Sequence, residues 1–169
     1  LKRHTVRLAS HSPAWASLYA AEAASLRRLT AGLLLDIQHV GSTSVPGLTA
    51  KPILDIAAAL RTREALEPVV SLLCENSYID RGDWGEQGGY LLVKEAQPDV
   101  RIVHLHLVEQ ADPQWGNYLA FRDTLVNATP ASSSSLPGSS RTTGAPTRTA
   151  NTSLSGKSFA HRGSEITWR

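Results

Sequence analysis

The stretch HVGSTSVPGLTAKPILDI, residues 39–56, decides the fold of this chain. It begins at the end of a segment, residues 34–40, in which apolar and polar residues alternate as they do in a β-strand. A loop rich in turn-forming residues follows over positions 41–47. Residues 53–60 then form an apolar run that only Asp55 interrupts, and this composition is typical of a strand buried on both faces. The stretch therefore predicts two strands joined by a polar loop.

Helices and further strands are predicted on either side of this stretch. Ser12-Pro13 and Asp112-Pro113 each combine a capping residue with a proline, which predicts helices that start at these positions and end near Gly32 and Asn127. Thr62 is predicted to cap a third helix that extends to about Asn76. Residues 78–81, 90–94 and 100–108 have strand character, with a turn at residues 97–99. A mobile connection is expected at four glycines, Gly82, Gly85, Gly88 and Gly89. This order of elements predicts an α/β (α+β) fold with a small mixed β-sheet and packed helices.

Charge is unevenly distributed along the 169 residues. The net charge of the whole chain is +2, yet residues 1–127 contain twelve Lys or Arg and fourteen Asp or Glu. Residues 128–169 contain five and one. Because the basic character belongs to the tail, we expect no specific nucleic-acid partner for the folded part.

The C-terminal segment differs in composition from the rest. Sixteen of the 21 residues in positions 129–149 are Ser, Thr, Pro or Gly. The segment therefore contains too few apolar residues for their burial to offset the conformational entropy lost on ordering. We therefore predict a folded domain over residues 1–127 and a low-complexity, disordered or aberrant tail over residues 128–169.

No apolar run approaches the ~20 residues of a membrane span, and no signal peptide is evident. The single cysteine, Cys74, is interpreted as a buried thiol. A cytoplasmic protein with no membrane partner is expected.

The polar residues of the 39–56 stretch are the first candidates for chemistry. A glycine such as Gly41 lets the backbone approach a phosphate, and the following amides with the Ser42 hydroxyl can donate hydrogen bonds to it. A purely structural turn is the alternative. Asp55 lies in an apolar strand, where an ionised carboxylate needs a cation, a polar partner or solvent. Lys51 could neutralise a phosphate, or it could form a structural ion pair with Asp55.

His104 and His106 are separated by one residue in a predicted strand, so they project from the same face. Two imidazoles on one face can bind a metal or act as an acid/base pair. Two histidines on a solvated strand face are the alternative. A metal would need a third ligand, and Asp55 is the natural candidate. With two imidazole ligands, zinc, manganese or nickel would be preferred over calcium.

Two residues outside these groups are further candidates. His39 could belong to the site or could be a core histidine bonded to a carbonyl oxygen. Arg122 could anchor a substrate phosphate, or it could tether its helix to the sheet or pair with Asp123.

Residues 39–56 closely resemble the signature of the GrpB-like family, which is placed in the nucleotidyltransferase superfamily. His104-Leu105-His106 and Phe121-Arg122-Asp123 match two later motifs of the family in the correct order, and Trp15 matches its N-terminal helix. The resemblance covers about 115 residues and implies a nucleotidyltransferase-like fold. It implies phosphate or nucleotide binding by a Gly-Ser loop, here Gly41, Ser42, Thr43 and Ser44 with Lys51 and Arg122.

The resemblance also implies an activity, although this chain departs from the superfamily pattern. Asp55 and Lys51 would be the catalytic residues, and Asp55, His104 and His106 would bind a divalent metal such as Mg, Mn or Zn. The second strand carboxylate of the superfamily is replaced by Ala57, and a two-metal mechanism needs more acidic ligands than remain. We therefore expect a protein that binds a nucleotide or a phosphorylated small molecule, with metal-dependent nucleotidyl transfer as one hypothesis. A non-catalytic accessory module is the other, since family relatives occur fused to dephospho-CoA kinase.

Overall fold

A computed structural model describes residues 7–83 and 89–129 of the chain. Three helices and five strands occur in this part, in the order α1 Ala14–Thr30, β1 Leu34–Val40, β2 Leu54–Leu60, α2 Leu66–Cys74, β3 Tyr78–Asp83, β4 Tyr90–Gln97, β5 Val100–Glu109 and α3 Pro113–Ala128. Short 3-10 helices lie at Ser42–Ser44 and Arg63–Ala65. The predicted mixed α/β architecture is confirmed. The predicted tail lies almost wholly outside the described residues.

All five strands form one mixed sheet in the order β1-β2-β5-β4-β3. Strands β2 and β5 are parallel, whereas the other neighbouring pairs are antiparallel. Since β2 is a central strand with a neighbour on each side, its apolar run is buried almost throughout, as the sequence predicted. The parallel pairing places the start of β2 beside the middle of β5, and the candidate site lies there.

The sheet buries a different apolar layer on each face. On one face, Ile56 and Leu105 belong to the main core, to which α1 and α2 contribute residues such as Leu26 and Leu73. On the other face, a smaller core forms between the sheet and α3. Its members are Val40, Ala57, Ala59, Val108, Trp115 and Tyr118. We call this second side the α3 face.

Helices α1 and α3 begin and end as their sequences predict. The Ser12 hydroxyl accepts a hydrogen bond from the Ala14 amide (3.3 Å), and Asp112 accepts one from the Gln114 amide (2.8 Å). Ala31 and Gly32, which follow α1, both have positive φ angles (45° and 89°). A left-handed residue of this kind is a common helix terminator.

Helix α2 begins later than predicted. Thr62 lies at the N-cap position of the 3-10 turn Arg63–Ala65 and has the extended backbone of a cap, but its side chain makes no capping hydrogen bond. The predicted side-chain cap of α2 is therefore absent. A 3-10 turn precedes the α-helix, which begins at Leu66. Pro68 explains the late start, because a proline is tolerated in the first turn of an α-helix but not further inside it.

Two other details differ from the sequence predictions. Cys74 is exposed rather than buried. It follows the buried Leu73 by one residue at the end of α2, and one residue is a rotation of about 100° around a helix. Gly82 lies within β3, at an irregularity in the pairing with β4, rather than in a connecting loop. Gly85 and Gly88 lie outside the described residues. Within the described part of the chain, no helix has both the length and the apolar character needed to cross a membrane.

Candidate functional site

The candidate site lies where β1 ends, β2 begins and β5 runs alongside. Asp55 is paired with Val40 of β1 on one side and with His104 of β5 on the other. His106 is paired with Ala57, two residues further along both strands. Because residues paired across a sheet project from the same face, the structure brings Asp55, His104 and His106 together on the α3 face.

A direct hydrogen bond joins the first two of these side chains. His104 Nδ1 lies 3.1 Å from Asp55 Oδ1. The side chains are partly exposed, 25% for His104 and 34% for Asp55. The other ring nitrogen, His104 Nε2, is buried and has no hydrogen-bond partner. Asp55 therefore has the polar partner that its apolar strand requires, and this partner is His104 rather than Lys51.

A glycine is required at position 41 because the main chain there lies very close to the Asp55 side chain. Its φ and ψ angles are 68° and −174°, a region of backbone conformation that is almost exclusive to glycine. A Cβ atom added at Gly41 would lie 2.5 Å from Asp55 Oδ2, which is far inside van der Waals contact. The turn that follows, residues 41–44, is consequently anchored directly against the Asp55 carboxylate.

Two hydroxyl groups of the 41–44 turn are used internally. Thr43 is 2% exposed, and its hydroxyl lies 3.3 Å from the Ile53 carbonyl oxygen, to which it donates, and 3.0 Å from His39 Nε2. The Ser44 hydroxyl donates to the Gly41 carbonyl oxygen at 2.6 Å. Both residues stabilise the turn, so neither hydroxyl is directed at a ligand. The Ser42 hydroxyl, in contrast, forms no hydrogen bond within the described residues.

His39 supports this turn from the opposite face of the sheet. Its ring stacks on the Tyr19 ring of α1, with centroids 4.8 Å apart. His39 Nε2 also contacts the Thr43 hydroxyl, and the tautomer of the ring decides which of the two groups donates. Burial lowers the pKa of His39, the nearby Asp55 carboxylate opposes this effect, and Arg122 adds to it. His39 therefore supports the turn, but it is half-buried and contacts the Thr43 hydroxyl, so it differs from the core histidine bonded to a carbonyl oxygen that was the alternative.

The two cations assigned to phosphate binding differ in their environments. Lys51 is exposed, and among the described residues it forms no ion pair, so the predicted pairing with Asp55 is not seen. Arg122 donates to Gln38 Oε1 (2.9 Å) and to Asp123 Oδ1 (2.8 Å). Arg122 thus tethers α3 to β1, whereas Lys51 is available to a ligand.

His106 is covered by α3. The centroids of its ring and the Tyr118 ring are 5.1 Å apart, and the His104 ring is perpendicular to it at 6.5 Å. Burial raises the pKa of Tyr118 to about 12. The contact of His106 is therefore with the aromatic layer under α3.

A metal centre made of protein ligands alone is not assembled here. Among residues 7–83 and 89–129, no group of three or more His, Cys, Asp or Glu side chains is arranged to hold a metal ion. One oxygen of Asp55 is already engaged by His104 Nδ1. The donor set Asp55, His104 and His106 therefore does not fit a resident metal in this conformation.

Sequence reasoning did not identify Tyr19, Gln38 and Tyr118 as neighbours of the site. Tyr118 follows Trp115 by one helical turn, a spacing that predicts a shared buried face. Gln38 shares the two-residue period of β1 with Val40. Tyr118 lies opposite His106 and Gln38 opposite Arg122 only because of the way α3 packs across the sheet, which no local pattern specifies. The position of Tyr19 against His39 depends in the same way on the packing of α1.

The fold and the site define a class, namely a small mixed α/β domain with a polar turn placed against a strand carboxylate. Comparison with known families gives the particular assignment. Residues 5–134 match the model of the family described as GrpB protein. The chain belongs to the GrpB family.

Similar proteins are found in several bacteria. The chain is 30% identical over 123 residues to the UPF0157 protein YqkA of Bacillus subtilis and 30% identical over 139 residues to the glutamate-rich protein GrpB of Alkalihalophilus pseudofirmus. These matches cover 73% and 74% of the chain, and 35% and 73% of the relatives. The crystal structure of the conserved protein GrpB from Enterococcus faecalis is similar with a TM-score of 0.66 and 30% identity, over 72% of this chain and 73% of that one. The chain spans only about a third of YqkA.

Proposed function

We propose that this protein binds a nucleotide or another phosphorylated small molecule at the 41–44 turn. The observation that carries the proposal is the contact of Gly41 with Asp55, since a hypothetical Cβ would lie 2.5 Å from the carboxylate. A glycine held against a charged side chain, in a conformation that other residues avoid, is a feature that persists where function needs it.

The groups left unengaged around this contact support the same proposal. Ser42 retains a free hydroxyl donor within the described residues, and Lys51 retains an exposed ammonium group next to the start of β2. Ser42 follows the end of β1 and Lys51 precedes the start of β2. These two strand ends are paired at Val40 and Asp55. A hydroxyl donor and a cation at one sheet edge are suited to phosphate oxygens.

Nucleotidyl transfer is the finer version of this proposal. It is supported by the resemblance of the Gly41-Ser42 and Asp55 spacing to the nucleotidyltransferase superfamily. The observation against it is Ala57, which is fully buried where that superfamily has its second carboxylate. Asp55 alone is a poor basis for two metal ions.

The alternative, which Ala57 favours, is a non-catalytic accessory module that binds the ligand without transferring a group. In both versions the ligand occupies the same turn, and the two differ only in whether a phosphoanhydride bond is broken. Release of pyrophosphate from a nucleoside triphosphate therefore distinguishes transfer from binding.

Ligand-dependent thermal stability tests the binding proposal. A ligand that binds only the native state at 100 times its dissociation constant stabilises it by about 2.7 kcal/mol. We expect a rise in melting temperature with at least one member of a panel of nucleoside triphosphates, nucleoside monophosphates and pyrophosphate, each with MgCl2. The variants Ser42→Ala and Lys51→Gln should reduce that rise without lowering the melting temperature of the free protein.

Matched controls are available away from the site. Ser71→Ala removes an exposed hydroxyl on α2, and Arg61→Gln removes an exposed cation beyond the opposite end of β2. Both controls should keep the full ligand-induced shift. Equal losses in the Lys51 and Arg61 variants would indicate non-specific charge attraction and would contradict a site at the 41–44 turn.

A further inference from the structure

The two oxygens of the Asp55 carboxylate have different neighbours. His104 Nδ1 faces Asp55 Oδ1 at 3.1 Å, whereas Asp55 Oδ2 lies beside Gly41. We propose that His104 is a positioning residue: its Nδ1–H fixes the Asp55 carboxylate so that Oδ2 can bind a hard divalent cation that arrives with the phosphorylated ligand. This inference rests on the proposed function and replaces the idea that the histidines bind the metal.

The proton arrangement of His104 follows from its surroundings. A carboxylate oxygen only accepts hydrogen bonds, so the nitrogen that faces it must donate, and the proton lies on Nδ1. The opposite nitrogen, Nε2, is buried and has no hydrogen-bond partner. A proton there would be an unsatisfied buried donor, which is unfavourable. The neutral Nδ1–H tautomer is therefore the form that the site selects, as in other carboxylate-oriented histidines.

The same geometry argues against His104 as a metal ligand. Nδ1 is occupied by its own proton, and Nε2 is enclosed by protein atoms. Within the described residues, Asp55 Oδ2 makes no hydrogen bond, and its side chain is 34% exposed. The accessible donor is thus an oxygen atom, and a single carboxylate combined with substrate phosphates is the usual way in which proteins bind Mg²⁺.

The tautomer can be measured without any ligand. Long-range ¹H–¹⁵N correlation spectra of the full chain at pH 8 should show His104 with a protonated Nδ1 and an unprotonated Nε2. The His104 signals are assigned from their loss in the His104→Asn variant. A proton on Nε2 in the wild-type protein would overturn the proposal.

A pair of substitutions separates the hydrogen-bond donor from the imidazole. Asn can place its side-chain NH₂ near the position of Nδ1, whereas Leu cannot donate at all. Titration with ATP in the presence of MgCl2 should therefore give an affinity for His104→Asn close to that of the wild type, and an affinity for His104→Leu lower by about tenfold, the effect of one lost hydrogen bond to a charged group. Unfolding curves of both variants provide the folded fraction by which affinities are corrected.

The outcomes that contradict the inference are distinct from those that contradict the proposed function. Equal losses in both variants would show that the imidazole itself is needed. Unchanged affinity per folded molecule in both would show that His104 has only a structural role. Binding of ZnCl2 alone by the wild type, lost in both variants, would restore the histidine metal site. If the wild type bound no member of the ligand panel, the proposed function would fail, and the NMR measurement would still decide the role of His104.

Discussion

At the scale of single residues, the site depends on one close contact between main chain and side chain. Gly41 combines a backbone conformation almost exclusive to glycine with a separation from Asp55 that leaves no room for a side chain. Burial of Thr43 and the Ser44 hydrogen bond then fix the turn from inside. The two unengaged side chains are Ser42, in this turn, and Lys51, which precedes β2.

The Gly41→Ala variant should therefore lose at least about 1–3 kcal/mol of stability, the usual cost of an unfavourable backbone conformation, and the overlap of Cβ with Asp55 Oδ2 adds to this loss. The Gly116→Ala variant is a suitable control, because a Cβ there would meet nothing within 4 Å and Gly116 lies inside α3. Alanine is the better helix former, so the control should be neutral or more stable by up to about 1 kcal/mol. Urea denaturation measures both values, and equal effects of the two substitutions would contradict the contact.

His39 should make the protein sensitive to mild acid. Its pKa in the folded state is lowered from 6.5, with burial as the main cause. Below pH 6.5 the unfolded chain therefore takes up a proton more readily than the folded one, and the contribution of His39 to stability is lost as the pH falls from about 6.5 toward the folded-state pKa. We expect a decrease in the free energy of unfolding over this range that is smaller in His39→Phe. An identical pH profile for the variant would exclude His39 as the cause.

At the scale of the elements, a charged network ties α1 to the far strands of the sheet. Glu22 of α1 accepts hydrogen bonds from the Tyr78 hydroxyl (2.6 Å) and from Lys94 Nζ (2.8 Å). The Glu22 and Lys94 side chains are only 16% and 26% exposed. Burial and the Glu22 contact both raise the pKa of Tyr78, so this hydroxyl remains a proton donor to Glu22 at neutral pH.

Removal of this network should lower the free energy of unfolding substantially. Glu22→Ala leaves a largely buried ammonium group and hydroxyl without their acceptor, and we expect a loss of about 2–4 kcal/mol of unfolding free energy. Arg63→Ala is the comparison, since the Arg63–Asp83 pair has side chains that are 68% and 42% exposed. That substitution should cost less than about 1 kcal/mol. Thermal or chemical unfolding shows which of the two variants loses more stability. A larger loss in Arg63→Ala than in Glu22→Ala would be inconsistent with this account.

The elements also show what local sequence patterns could predict. The bounds of β1 matched those predicted for residues 34–40. Burial along the strand does not follow a two-residue period, because the sheet has a core on each face and the pairing with β2 shifts between Leu34 and Asp36. The start of α2 was wrong because the capping signal of Thr62 was weighed without Pro68. Cys74 was misplaced because an apolar neighbourhood in sequence was taken for burial, although a helix turns successive residues to different sides.

At the scale of the whole molecule, the site depends on contacts between distant parts of the sequence. The spacing of His104 and His106 predicted a shared face, and the structure places both on the α3 face. Asp55 was their candidate partner, but its contact with His104 could not be derived from the spacing alone, because the contact requires β5 to lie next to β2 in the observed register. The pattern within each strand carries no information on that order. The metal, cofactor and ligand assignments stay predictions.

The division of the chain near residue 127 is also a prediction for the whole molecule. All eight helices and strands described here end by Ala128, and the family match extends to residue 134. The composition of residues 129–149 predicts that limited proteolysis cleaves the segment 128–155 before the domain. Mass spectrometry of the first fragments tests this. Early cleavage inside residues 7–83 with an intact C-terminal segment would refute the division.

The central claim, that Asp55 belongs to a ligand site rather than to the structural framework, is tested most directly by measuring two properties of Asp55→Ala together. One is the free energy of unfolding, and the other is the affinity per folded molecule for the most stabilising ligand of the panel with MgCl2. We predict that the affinity falls at least about tenfold, a loss of about 1.4 kcal/mol of binding free energy. The free energy of unfolding should change by less than this amount. A variant that is severely destabilised but binds the ligand with unchanged affinity per folded molecule would show that Asp55 is a structural partner of His104 and would contradict the account.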